Sequence, residues 1–197
     1  MLKRITALIF VLLLLTGCAG EGNGQKEPVV SDPAHSAIGS YPGLGGVMPE
    51  MTFTTSAGET MKLSALLAEK KLVVLNFWFA NCGWCMKEFP VMELAYQRYQ
   101  NDVEIVALNP VDGAEAVNAF VKNNSLSFPM AACPRSWAVE MGITAYPTSV
   151  FIDRDGVVCL VHRGAITTAD TFYELFELFT SDDYQQQVYN SLDEVFR

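Results

Sequence analysis

Two thiols stand three positions apart in Cys82-Gly83-Trp84-Cys85. They follow an apolar run, 72–80 (LVVLNFWFA), and open a segment with helical periodicity. Thiols so spaced, where a strand ends and a helix begins, can close a disulfide and pass it to another protein, or hold a soft metal ion. The helix N-terminus carries partial positive charge and unpaired N–H groups, which favour the thiolate of the leading cysteine. Downstream, Cys85, Phe89, Met92, Tyr96 and Tyr99 recur at spacings of four, three, four and three, which makes one buried stripe. Cys85 therefore points inward, and Cys82 at the helix mouth is the accessible sulfur. Sulfurs this unequal suit disulfide exchange.

Three further cysteines and two histidines complete the reactive inventory. Cys133 falls at the C-terminal end of an expected strand, the edge where α/β sheets gather active groups. It reads either as a partner for an alternative disulfide with the Cys82–Cys85 pair or as a buried, inert thiol. Cys159, in VVCLV, reads as a small core residue. With only His35 and His162, the chain lacks a convincing Cys/His zinc set. No metal and no cofactor is expected.

The elements that must position these groups alternate between strand and helix. Segments 51–54 and 60–63 predict a short hairpin, and Ser64 can cap a brief helix reaching 69. Segment 72–79 is β-branched and aromatic without alternation, as in a central strand covered on both faces. A helix over 83–100 follows, then a strand at 103–108. Asp112 with Glu115 gives a capping-box-like start to a helix ending near 123. A strand at 128–133, a short helix at 136–141, a hairpin of 148–152 and 157–161, and a helix over 168–179 complete the series. This order predicts an α/β fold: a mostly parallel central sheet with an antiparallel edge, flanked by helices. Segment 181–197 reads as an extra amphipathic acidic helix, with Val188, Leu192, Val195 and Phe196 on one side.

The N-terminus assigns a compartment. Lys3 and Arg4 precede an apolar run at 5–15, too short for a spanning helix of about 20 residues and suited to a signal sequence. Leu15-Thr16-Gly17-Cys18 then resembles the lipobox of bacterial lipoproteins, which implies cleavage after residue 17 and a lipid on Cys18. Residues 18–46, rich in Gly, Pro and Ser, read as a flexible tether, with His35 solvated in it. The folded domain is placed at 47–180. Loss of Lys3 and Arg4 from the 13 basic residues leaves 11 against 22 acidic ones. Such a surface gives no electrostatic support for nucleic-acid binding and repels an anionic bilayer, so membrane attachment falls to the lipid.

Asn76-Phe77-Trp78, Cys82-x-x-Cys85, Lys87-Glu88-Phe89-Pro90 and Ala145-Tyr146-Pro147-Thr148 together resemble the extracytoplasmic thioredoxin-like proteins of the TlpA/ResA group. The resemblance covers roughly residues 46–180. It implies a thioredoxin-like fold with an N-terminal hairpin extension. Cys82 is then the attacking sulfur, and Cys85 the resolving sulfur that expels the client thiol. Glu88 takes the Cys85 proton, its own pKa raised toward neutrality by desolvation. Pro147 is a cis-proline that turns the Tyr146 backbone toward the pair for an extended substrate. Trp84 offers a substrate platform or covers the helix start. Asn81 stands where the group usually has tryptophan, and Asn76 where cytoplasmic thioredoxins carry a buried acid.

By this resemblance the chain is a lipid-anchored thiol–disulfide oxidoreductase acting as a reductant. Electrons come from a membrane thiol carrier and pass to oxidised cysteines of exported proteins such as apocytochrome c. Two other readings use the same fold. One is a peroxidase or reductase-recycling partner, although the Pro-x-x-x-Thr-x-x-Cys setting of peroxiredoxins is absent. The other is a copper-binding chaperone with Cys82, Cys85 and His162 as ligands.

Overall fold

The computed structural model describes residues 41–184. Cys18, His35, the signal sequence and nearly all of the expected C-terminal helix lie outside the described residues. Among the described residues no helix is long and apolar enough to cross a membrane.

A short hairpin comes first, β1 (Thr52–Thr54) against β2 (Thr60–Lys62), with Phe53 opposite Met61. Helix α1 (Leu63–Glu69) leads into β3 (Leu72–Phe77), and α2 (Gly83–Tyr99) into β4 (Val103–Asn109). Then come α3 (Ala114–Asn123), β5 (Met130–Ala132), α4 (Arg135–Glu140), β6 (Thr148–Asp153), β7 (Val158–Arg163) and α5 (Ala169–Thr180). The five main strands lie in the order β5-β4-β3-β6-β7.

The sheet is mixed, with the expected antiparallel edge. Strands β5, β4 and β3 are parallel, but β6 runs antiparallel beside β3 and β7 antiparallel beside β6. The β6–β7 hairpin docks directly on the central strand, because β3 is apolar on both faces and gains most from neighbours on either side. Every β3 side chain is buried. Leu72, Val74 and Trp78 face α2 and α5, packing with Phe89, Met92, Phe172 and Phe176. Val73, Leu75 and Phe77 face the hairpin, α1 and α4, with Phe53, Leu63 and Trp137. Each large apolar side chain so buried contributes about 1.5–3 kcal/mol.

Three local expectations change. Helix α1 starts at Leu63, two residues earlier than a Ser64 cap would set it, with Lys62 as N-cap; the Ser64 backbone N–H and hydroxyl both donate to the Glu50 carboxylate instead. Asp112 does not cap α3, whose N-cap is Gly113. Its carboxylate turns back to the segment before Cys82. The last residues of the expected tether, by contrast, meet the domain. The Gly45 N–H donates to the Val158 carbonyl at 2.8 Å, the Val158 N–H to Gly46 at 2.9 Å, and Val47 bridges Val157.

Candidate active site

Strand β3 stops at Phe77 and α2 starts at Gly83, so Cys82 is the N-cap, with extended backbone (φ −83°, ψ 99°). Its Sγ accepts the Cys85 N–H at 3.1 Å, and its carbonyl accepts the Met86 N–H at 3.1 Å. The two sulfurs form a disulfide with a Cα–Cα separation of 5.3 Å. Cys85 is wholly buried and Cys82 is 5% exposed. The expected inequality is present but small in the oxidised pair. Around it Asn81 and Gly83 are exposed, and Trp84 is 58% exposed, with the Lys87 ammonium 4.1 Å from its ring centre. Trp84 therefore stands out from the domain and does not seal the helix start.

The segment leading to Cys82 is pinned from the side. Asp112 Oδ2 accepts the Ala80 N–H at 2.7 Å and the Asn109 side-chain amide at 3.0 Å. Asn109 Oδ1 in turn accepts the N–H groups of Val111 and Asp112. The loop after β4 thus sets the approach to the disulfide. Sequence reading missed this role, since nothing near Asp112 marks a partner 32 residues earlier.

The Tyr146–Pro147 peptide bond is cis, as expected. Thr148, the next residue, pairs with Phe77 at the end of β3, so the proline and the disulfide share one edge of the sheet. The Tyr146 ring packs edge-on against Phe79, centres 5.5 Å apart. The Pro147 carbonyl already accepts the Gly164 N–H at 2.9 Å.

Glu88 lies one turn beyond Cys85 and is fully buried, which excludes a solvated helix carboxylate. Its Oε1 accepts the Ile166 N–H at 2.9 Å and its Oε2 the Asn76 amide at 2.9 Å. Burial pushes its pKa up from 4.5 to about 7, against the two hydrogen bonds, which pull it down. A carboxyl group so poised can accept a thiol proton near neutral pH.

The other candidates separate from this centre. Cys133 follows β5 at the same sheet edge, half-buried and unpaired, and burial pushes its thiol pKa far up. Cys159 sits on β7 with its thiol against the Phe151 carbonyl, its pKa pushed up to about 12 by burial first and the Asp153 charge second. His162 lies on β7 opposite Ser149. Among the described residues no group of three or more His, Cys, Asp or Glu side chains is placed to hold a metal ion.

A disulfide at a helix mouth, with a buried acid one turn further along the helix and a cis-proline on the same edge of a five-stranded sheet, defines a thioredoxin-like thiol–disulfide oxidoreductase. Comparison with known proteins agrees. The chain belongs to the redoxin family, which it matches over residues 44–175. It is 31% identical over 171 residues to the thiol-disulfide oxidoreductase ResA of Bacillus cereus, covering 84% of this chain and 91% of that one. To the thioredoxin-like protein YneN of Bacillus subtilis it is 30% identical over 174 residues, 85% and 94% of the two chains. Among solved structures it resembles a putative thiol:disulfide interchange protein DsbE from Chlorobium tepidum (TM-score 0.61, 27% identity, 70% of this chain and 96% of that one).

Proposed function

We propose that this oxidoreductase is a lipid-anchored reductant of disulfides in exported proteins, with Cys82 attacking and Cys85 resolving. The observation that carries the exchange chemistry is the buried Glu88 carboxyl, one helical turn behind Cys85. Reduced Cys82, at the positive end of α2, is the stabilised thiolate. It attacks a client disulfide and forms a mixed disulfide, releasing the first client sulfur. Glu88 accepts the Cys85 proton, and the Cys85 thiolate then displaces the second client sulfur from Cys82. Client backbone docks beside Tyr146 and Pro147, with Trp84 as an exposed apolar contact. A membrane thiol carrier returns the pair to the dithiol.

The anchoring part of the proposal rests on the Leu15-Thr16-Gly17-Cys18 signature, and the reductive direction on the likeness to the TlpA/ResA group. One set of measurements tests both site and direction. Cys82→Ser abolishes insulin reduction, whereas Cys85→Ser accumulates mixed disulfides with client; equal behaviour of the two variants refutes the assignment of roles. Equilibration against glutathione and dithiothreitol should give a potential well below about −200 mV, nearer thioredoxin than DsbA. A potential near that of DsbA refutes the reductant. Cys18→Ala should release the protein from the membrane fraction.

A further inference from the structure

A row of side chains crosses the sheet beneath α2. Val74 on β3 and Trp78 just after it pack on the α2 side, and Asn76 between them shares that face. Asn76 stands opposite Ser149 of β6, and Ser149 opposite His162 of β7. Directly opposed residues project to the same face, so the three form one polar row inside an otherwise apolar layer. Asn76 and Ser149 are both buried.

The Asn76 amide gives one N–H to Glu88 Oε2 and the other to Ser149 Oγ, each at 2.9 Å. Its Oδ1 is buried with no hydrogen-bond partner. A valine or leucine would suit this strand and leave no orphaned acceptor, so stability alone does not account for an asparagine here. What the amide provides is a fixed donor on the carboxylate. The remaining Glu88 oxygen is held by the Ile166 backbone, so both oxygens accept from groups that cannot themselves lose a proton.

We propose that Asn76 and Ser149 are positioning residues for disulfide exchange: Ser149 fixes the Asn76 amide, and that amide, with the Ile166 N–H, holds Glu88 as the anion that accepts the Cys85 proton. The inference rests on the reading of Glu88 as proton acceptor. In the mixed disulfide the proton passes from Cys85 Sγ to Glu88, leaving a Cys85 thiolate. Its electron pair forms the bond to Cys82 Sγ as the bond from Cys82 to the client sulfur breaks. The client leaves as a thiolate and takes up the proton, which restores the Glu88 carboxylate. On this centre lie Asn76 from β3, with Ser149 of β6 behind it, and the Ile166 backbone after β7, while Cys85 stands one turn earlier on α2; His162 is the next titratable side chain in the row.

The test is the pH profile of client-thiol release by the reduced full chain, with glutathione disulfide as probe, from pH 5 to 9. Loss of one charge-assisted hydrogen bond should move the Glu88 limb up by about one pH unit in Asn76→Ala. At pH 7 the anionic fraction, and with it the rate, then drops roughly fivefold and recovers by pH 9. Ser149→Ala should move the limb the same way by less, Ser149→Thr should restore it, and His162→Gln should leave it in place. Equal losses at every pH in Asn76→Ala and Ser149→Ala, with an unmoved limb, overturn the proposal and leave the Glu88 reading intact. So does a limb that moves in His162→Gln. If Asn76→Ala fails to fold, the Ser149→Ala and Ser149→Thr pair decides alone. Persistence of the limb in Glu88→Gln sinks the Glu88 reading and the inference together.

Discussion

Glu88→Gln tests the burial argument without any assay of activity. Folding moves the Glu88 carboxyl from an ordinary pKa of 4.5 to about 7. Between these values the folded protein holds a proton that the unfolded chain has released, so stability from this group is full below pH 4.5 and is lost as pH rises through 7. Between pH 5 and pH 8 the loss amounts to about 2–3 kcal/mol. Glutamine does not titrate. Its oxygen can accept from only one of the two donors, Asn76 or Ile166, and its NH2 faces the other, so the variant carries a fixed offset of about 1–2 kcal/mol. The slope is therefore the informative quantity. Urea unfolding of the oxidised proteins at pH 5, 6, 7 and 8 should show the variant gaining about 2–3 kcal/mol relative to wild type across that range. Subtraction removes every other titrating group. A difference flat to within about 0.5 kcal/mol would refute the claim that Glu88 is an acid made reluctant by burial.

Two further expectations concern the surroundings of the pair. In the reduced, folded protein, iodoacetamide at pH 7.5 should label Cys82 first and leave Cys133 and Cys159 unmodified until urea unfolds the chain, because burial pushes both thiols away from the reactive thiolate. Labelling of Cys133 at a rate comparable to Cys82, read by mass spectrometry, would overturn this. Asp112→Ala strips an acceptor from the Ala80 N–H and from the buried Asn109 amide, and should cost about 1–3 kcal/mol while slowing exchange. Asp112→Asn, which keeps one oxygen, should recover part of both; a stability loss below about 0.5 kcal/mol would show that the loop does not depend on this contact.

Much of this molecule was legible as sequence. The alternation of apolar runs with 3.6-residue stripes located the main elements, since burial on one or two faces fixes the spacing of apolar residues wherever the chain ends up. The positions of Cys82 and Cys85 at a strand–helix junction were equally local, as was the Tyr-Pro-Thr entry to β6. The errors were local too: Ser64 and Asp112 have the composition of helix caps, yet each is claimed by a partner that lies elsewhere in the chain.

What only the tertiary structure decided is who meets whom. The placement of the β6–β7 hairpin against β3 sets Ser149 opposite Asn76, 73 residues away, and brings the Ile166 N–H to a carboxylate 78 residues earlier. Sequence could mark Glu88 as an acid near the dithiol, but spacing along one helix carries no information about dielectric. The pKa follows from what covers the carboxyl and which donors remain. Those groups come from two strands, β3 and β6, and the loop after β7, joined by long-range packing. The sequence marked the two sulfurs that pair; the fold determined what surrounds the carboxyl behind them.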